Sequence, residues 1–249
     1  MSTELSPGTA AKEVSRRRGV SGATPLRERV YEALRDELMS GQISPFERLA
    51  EERIAERFET SRTPVREAVA RLFADGRLEK RNGGLYLYLP NFEELTGLYE
   101  LRITLELRGI QRAIEEPSVR HDRARLETEL ARWYAHRDGG TVPDPGFVAE
   151  DERFHTELLD ASGNPSLTRA LVQVNQRIRS VRMYDYLTDS RLEATIRDHL
   201  EIGELVLQGR LSSALDALRN HVGASREVVL ERAAKALSLT AMLDRQRDR

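Results

Sequence analysis

Residues 49–73 read LAEERIAERFETSRTPVREAVARLF, and their spacing decides the fold. Ile54, Ala55 and Phe58 give a short helix over Ala50 to Phe58 one apolar face. After a turn of a few residues, with Ser61 or Thr63 as the cap, Val65, Ala68, Val69, Leu72 and Phe73 fall at offsets 0, 3, 4, 7 and 8. That spacing lays one inward stripe along a second helix. Two short helices joined by so tight a turn suit a helix-turn-helix.

Working outward, Thr24 and Pro25 are placed to start an earlier helix, with Pro25 at its first position. Leu26, Val30, Ala33, Leu34 and Leu38 repeat along it at helical spacing, and Gly41 ends it. Downstream, Arg77 to Arg81 and Leu85 to Leu89 read as two strands, the second alternating Leu85, Leu87 and Leu89 with Tyr86 and Tyr88. Asn82, Gly83 and Gly84 supply the positive-φ residues of a tight hairpin. A hairpin after a helix-turn-helix makes a winged module over residues 25–90, and Asn91 then caps the next helix. Residues 1–24, polar and carrying Arg16, Arg17 and Arg18, are expected to form a disordered arm.

From residue 91 only helical patterns remain, broken at Pro117, Gly139 to Gly146, Gly163 to Pro165, Thr188 to Ser190 and Gly209. Six helices are expected, over 91–116, 119–137, 146–161, 165–186, 190–208 and 211–235, forming an all-α antiparallel bundle over 91–236 with a fraying tail at 237–249. The fold class is therefore mainly α, a winged helix-turn-helix of three helices and a β-hairpin followed by that bundle.

At 249 residues the chain has room for two domains, and it holds no cysteine, so disulfides and thiolate metal sites are excluded. No apolar run is long enough for a membrane span and the first 25 residues lack a signal peptide's apolar core, so a cytoplasmic protein is expected. The formal charge of −2 divides unevenly. Residues 1–89 carry 16 Lys/Arg against 14 Asp/Glu, and the remainder 23 against 27. Six cations concentrate in residues 61–81 (Arg62, Arg66, Arg71, Arg77, Lys80, Arg81), the electrostatic footprint of a nucleic-acid reader.

Arg62 and Arg66 lie four residues apart, on the face of the third helix opposite its apolar stripe, with Thr63 beside them. Arginine can hydrogen-bond guanine O6 and N7 in pairs, and recognition helices present their N-terminal residues to base edges. Through Leu49-Ala50-Glu51-Glu52-Arg53-Ile54-Ala55-Glu56-Arg57-Phe58 and Ser61-Arg62-Thr63-Pro64-Val65-Arg66-Glu67-Ala68, residues 26–89 resemble the GntR family of bacterial regulators. The resemblance implies DNA contacts by Arg62, Thr63 and Arg66, with Ser61 at the helix start and Gly83 or Gly84 near the minor groove. Two departures stand out. Glu59-Thr60 replaces the family's usual Gly-Val, and Arg53 neighbours Glu52, where some members place a DNA-contacting arginine.

Three histidines, His155, His199 and His221, and one carboxylate, Asp151, sit on apolar stripes of three different helices. Burying four such groups costs too much unless they are paired or bind a cation, and Asp151 and His155 at i and i+4 could share one. His121 and His136 fall in polar surroundings and are expected on the surface. On the first bundle helix Arg102 interrupts a stripe of Leu95, Leu98, Leu105 and Gly109, and needs an anion; Glu106, one turn on, or a ligand carboxylate would serve. Residues 146–221 resemble the FCD effector domain of FadR-like GntR regulators, through Asp151-Glu152-Arg153-Phe154-His155, Ser162-Gly163-Asn164-Pro165, Asp198-His199 and Asn220-His221. That resemblance implies a divalent transition metal (zinc, nickel or manganese) on Asp151, His155, His199 and His221. It implies an organic-acid or sugar-acid effector beside the metal, with Arg102 and, more weakly, Asn175 lining the pocket.

The leading expectation is a homodimeric, ligand-responsive regulator, more often a repressor in this family, on a pseudo-palindromic operator. It is not expected to be an enzyme. The alternatives are a metal-dependent hydrolase or lyase using the three histidines and Asp151, and an architectural DNA protein that binds no ligand. The first leaves the basic winged module without a use, and the second leaves the inward histidines and Arg102 unexplained.

Overall fold

The computed structural model describes residues 25–247 apart from Gly41, residues 44–46, Tyr184 and Leu187. The expected arm at 1–24 lies outside the described residues, as do Thr24 and Gly41. Helix α1 (Leu26–Met39) starts one residue later than expected, because Pro25, at φ −53° and ψ 142°, is its N-cap and not its first helical residue. Val30, Leu34 and Leu38 are buried beneath it.

α2 (Glu51–Arg57) and α3 (Arg62–Ala74) form the helix-turn-helix. Val65, Ala68, Val69 and Leu72 pack inward from α3 as the stripe predicts, but Phe73 does not. It is 44% exposed, at the edge of the stripe, with the Lys80 ammonium 5.8 Å from its ring. In the turn, Glu59 adopts φ 49°. That left-handed conformation is the physical reason a glycine is usual here, and this chain bears a side chain in it.

Strands β1 (Leu78–Arg81) and β2 (Gly84–Leu87) pair antiparallel with Leu78 opposite Leu87 and Arg81 opposite Gly84. The two-residue turn is Asn82 (φ 49°) and Gly83 (φ 71°), as the hairpin reading requires. Gly84 is a correction: it belongs to β2 without a positive φ. Its reason is steric, since a Cβ there would lie 2.7 Å from the Tyr86 ring and 3.1 Å from Arg48 Nε. Leu49, just before α2, bridges to Leu85 and ties the wing to the helices.

The remaining helices are α4 (Phe92–Glu115), α5 (Arg123–Asp138), α6 (Phe147–Ala161), α7 (Pro165–Arg182), α8 (Asp189–Leu207) and α9 (Leu211–Arg247). Asn91, Asp122 and Asn164 cap α4, α5 and α7 through their side chains, so α5 begins four residues after the expected 119. The α9 backbone continues as helix past the expected end at 235. α7 stops at Arg182, four residues short, and the chain turns so that Asp185 and Tyr186 are fully buried. α4 packs on α9 and α7, α5 on α8 and α6, and α8 on α9. α8 approaches α5 closely because Gly203 has no side chain; a Cβ there would come within 2.6 Å of Leu130. α7 also reaches the winged module, where Arg177 lies 3.5 Å from the Tyr88 hydroxyl, and the same arginine binds Glu94 at the start of α4.

Candidate metal centre and nucleic-acid interface

On the winged module, Thr63 and Arg66 from α3 and Gly83 and Gly84 from the wing line one groove of about 950 Å³, with Lys80 and Arg48 on its walls. Arg62 and Arg66 are 65% and 73% exposed and lean on acids of α2, Arg62 on Glu52 at 3.1 Å and Arg66 on Glu51 at 3.9 Å. Exposed pairs of this kind contribute little, so either arginine can be taken by a phosphate or a base at small cost. Ser61 is the exposed N-cap of α3. Arg53 is directed elsewhere, donating to the Arg48 carbonyl at 3.3 Å and lying 3.7 Å from Glu47. It stands outside the groove lining, whereas Glu52 is within it.

In the bundle, Asp151 and His155 on α6, His199 on α8 and His221 on α9 each offer a ligand atom, all within 4.8 Å of one another, and all four residues are buried. His199 Nε2 lies 3.0 Å from His221 Nε2 and 3.5 Å from Asp151 Oδ1, and His155 Nε2 is 3.7 Å from that same oxygen. Bonds of about 2.1 Å to a divalent metal place adjacent donors about 3 Å apart and opposed donors about 4 Å apart, so this donor set fits one ion.

The surroundings hold each ligand in place. His199 stacks on Phe154 at 3.9 Å and takes the edge of Trp133 at 4.2 Å. His221 Nδ1 is 3.1 Å from Asp198 Oδ2, and His155 Nδ1 is 2.6 Å from Glu106 Oε2, leaving each Nε2 toward the centre. Such outer carboxylates fix the tautomer and aim the ring. Burial, reinforced by His221 and His155, lowers His199 well below the ordinary imidazole range, and burial also lowers His221, so both are neutral, as ligands must be. Burial would lower His155 too, but Glu106 and Asp151 outweigh it and raise its pKa. Burial favours a protonated Asp151, yet Arg182 and the histidines hold that carboxyl well below the usual range.

Arg102 is fully buried, and Glu106, one of the two partners expected for it, is in place. Its Nε donates to Glu106 Oε1 at 2.5 Å, and its Nη2 lies 3.8 Å from Asp151 Oδ2. Asn175 is buried on α7, and neither amide atom finds a partner among the described residues. Sequence reasoning missed two groups. Arg182 Nη2 donates to Asp151 Oδ2 at 2.6 Å and Tyr186 Oη donates to Asp151 Oδ1 at 2.6 Å. Arg182 carried a usable signal, since Leu171, Ile178 and Arg182 share one face of α7, a cation on an apolar stripe as at Arg102. His121 and His136 are corrections: both are half-buried, not surface residues. His136 packs against Trp133 and Phe147, and burial lowers His121.

Residues 26–84 match the family model for bacterial regulatory proteins, gntR family, and residues 97–224 that for the FCD domain. The HTH-type transcriptional regulator YdhC of Bacillus subtilis is 30% identical over 200 residues, 80% of this chain and 88% of that protein. The Nta operon transcriptional regulator of Aminobacter aminovorans is 27% identical over 194 residues, 78% of this chain and 89% of that one. Among solved structures, a transcriptional regulator GntR from Rhodococcus sp. RHA1 superposes with a TM-score of 0.66 at 24% identity, covering 84% of this chain and 99% of that one. Among the described residues no helix is long and apolar enough to cross a membrane.

Proposed function

The chain belongs to the GntR family of bacterial regulators that carry an FCD domain, and on that premise we propose that it is a cytoplasmic, ligand-controlled repressor. It acts as a homodimer on a pseudo-palindromic operator, and a small carboxylate bound beside a metal ion sets its grip on DNA. The observation that carries this reading is the buried set of Asp151, His155, His199 and His221 with two guanidinium groups, Arg102 and Arg182, reaching the same carboxylate.

On the DNA side, Arg62, Thr63 and Arg66 read base edges or phosphates from the start of α3. Ser61 contacts a phosphate from the start of α3, exposed Arg53 leaves Glu47 for a phosphate beyond the groove, and Gly83 and Gly84 let the wing approach the duplex. A dimer is required because one recognition helix covers too few bases for genomic specificity. In the bundle, Asp151, His155, His199 and His221 would hold a zinc, nickel or manganese ion, which supplies Lewis-acid attraction for a ligand oxygen. Glu106 and Asp198 keep their histidines aimed. Arg102 and Asn175 line the effector's seat, where a buried cation and an unpartnered amide suit an organic acid or sugar acid.

The test is a thermal-shift screen of organic and sugar acids on metal-loaded protein, each hit then titrated into an operator complex. Acids that raise the melting temperature and change operator binding support the reading. An operator complex that no stabilising acid perturbs would remove the effector half of it.

A further inference from the structure

Asp151 is engaged on both oxygens by groups outside the ligand set. Tyr186 Oη donates to Oδ1, the same oxygen that faces His155 and His199, and Arg182 Nη2 donates to Oδ2. Arg182 Nη2 also donates to the Tyr186 oxygen at 3.0 Å, so both hydrogens of that nitrogen are in use. Arg182 Nε and Nη1 are buried and find no acceptor among the described residues. Among the described residues three of the five N–H groups of this fully buried guanidinium thus find no acceptor, which is costly.

A guanidinium offers a carboxylate two forks, side-on through Nε and Nη2 or end-on through Nη1 and Nη2. Both include Nη2. A ligand that makes the paired bonds with Arg182 must therefore displace Asp151 or Tyr186 from that nitrogen. Arg102 differs: its Nε is held by Glu106, but its Nη1 is also buried with no acceptor among the described residues and its Nη2 is 3.8 Å from Asp151, so its end-on fork can take an anion without any exchange of partners.

We infer that Arg182 is a second anion-reading residue of the effector seat, beside Arg102, and works by exchange of partners. Without ligands, Arg182 and Tyr186 occupy Asp151; when an acid binds, its carboxylate takes the Arg182 fork and Asp151 is released to the metal. Metal and acid then strengthen each other's binding by an equal factor, as linkage demands. This rests on the metal and effector reading above and adds to it which residue couples the two.

The experiment uses the full-length, metal-stripped protein with zinc as the metal and acetate as the smallest carboxylate probe. Zinc affinity is measured by competition with a chromophoric chelator, in carboxylate-free buffer and again with acetate, for wild type, Arg182→Met and Tyr186→Phe. Circular dichroism checks that each variant is folded. In wild type, acetate should tighten zinc. Arg182→Met should bind zinc roughly tenfold tighter than wild type without acetate, since a cation that competes for Asp151 is gone, and should lose the acetate effect. Tyr186→Phe should also bind zinc more tightly but keep the acetate effect, and as a near-isosteric change it keeps the inference testable if Arg182→Met misfolds.

If Arg182 and Tyr186 merely support Asp151, both substitutions should weaken zinc, by roughly 10- to 100-fold, and that overturns the exchange. An acetate effect that survives in Arg182→Met, or is missing in wild type, also overturns it. A wild-type protein that takes up no zinc, nickel or manganese refutes the metal reading itself, a distinct failure from either of these.

Discussion

Replacing Glu106 with glutamine tests the centre's outer support at the point where it is most loaded. Glu106 is 3% exposed and serves two neighbours at once, Arg102 at 2.5 Å and His155 at 2.6 Å. Burial alone would raise its carboxyl, but Arg102 and His155 bring it down to about 2 from an ordinary 4.5. That difference corresponds to roughly 3 kcal/mol of stability at neutral pH. An independent route agrees: removing one partner of a buried ion pair costs about 3 to 5 kcal/mol, because the other charge is left uncompensated. Glu106→Gln keeps the shape and loses the charge, so a loss of about 3 kcal/mol is expected in metal-free protein.

The pH dependence has a definite sign. A depressed carboxyl contributes fully above its unfolded value of 4.5 and loses its contribution as pH falls towards about 2. His155 works in the opposite sense, contributing most below its ordinary 6.5 and less as pH rises through its raised value. Asp151 and Asp198 are also depressed and weaken the fold in acid. The informative quantity is therefore the difference between wild type and Glu106→Gln, which should shrink between pH 4.5 and pH 2. Urea unfolding followed by fluorescence of Trp133, the one tryptophan in the sequence, reports on the bundle. Adding Arg102→Met to Glu106→Gln should recover much of the loss, since removing both charges of a buried pair is often nearly neutral. A difference below about 1 kcal/mol at pH 7, or one that persists unchanged into acid, would show that Glu106 does not support Arg102 and His155 in this way.

Three further outcomes are expected. Arg66→Ala should weaken binding at the cognate operator by about 1 to 3 kcal/mol if Arg66 reads a base; equal weakening on random DNA in a mobility-shift titration would make it a phosphate contact. His199→Ala should lower metal content by elemental analysis together with melting temperature, since an ion present at 100 times its Kd adds about 2.7 kcal/mol; wild-type metal content would remove His199 from the site. Glu59→Gly should stabilise the winged module by relieving a left-handed residue, by up to about 1 kcal/mol after the glycine's entropy is set against it, and so raise its melting temperature. Glu59→Val should lower it, and the reverse order would refute the strain argument.

What could be read from the sequence follows the range of the interactions involved. The helix-turn-helix, the Asn82-Gly83 turn and the six bundle helices rest on local spacing and turn chemistry, which act within a few residues and survive folding unchanged. The four candidate ligands were legible for the same reason: each is a polar group on an apolar stripe, and stripes face inward. Periodicity fails where a helix ends. A continuous helix over 165–186 assigns Tyr186 a face it never has, because α7 stops at Arg182 and the turn that follows carries the Tyr186 hydroxyl back onto Asp151. Periodicity is also silent on which stripe meets which. The Arg102–Glu106 pair spans four residues and could be anticipated, whereas Arg182 and Asp151 are 31 residues apart and meet only because α6 and α7 pack together. A buried cation on a stripe therefore signals that an anion is near without naming it. At Asp151 the structure brings Arg102, already paired with Glu106, together with Arg182, and the donors these two guanidinium groups leave without an acceptor among the described residues, beside a site for a divalent ion, are what call for an acidic ligand.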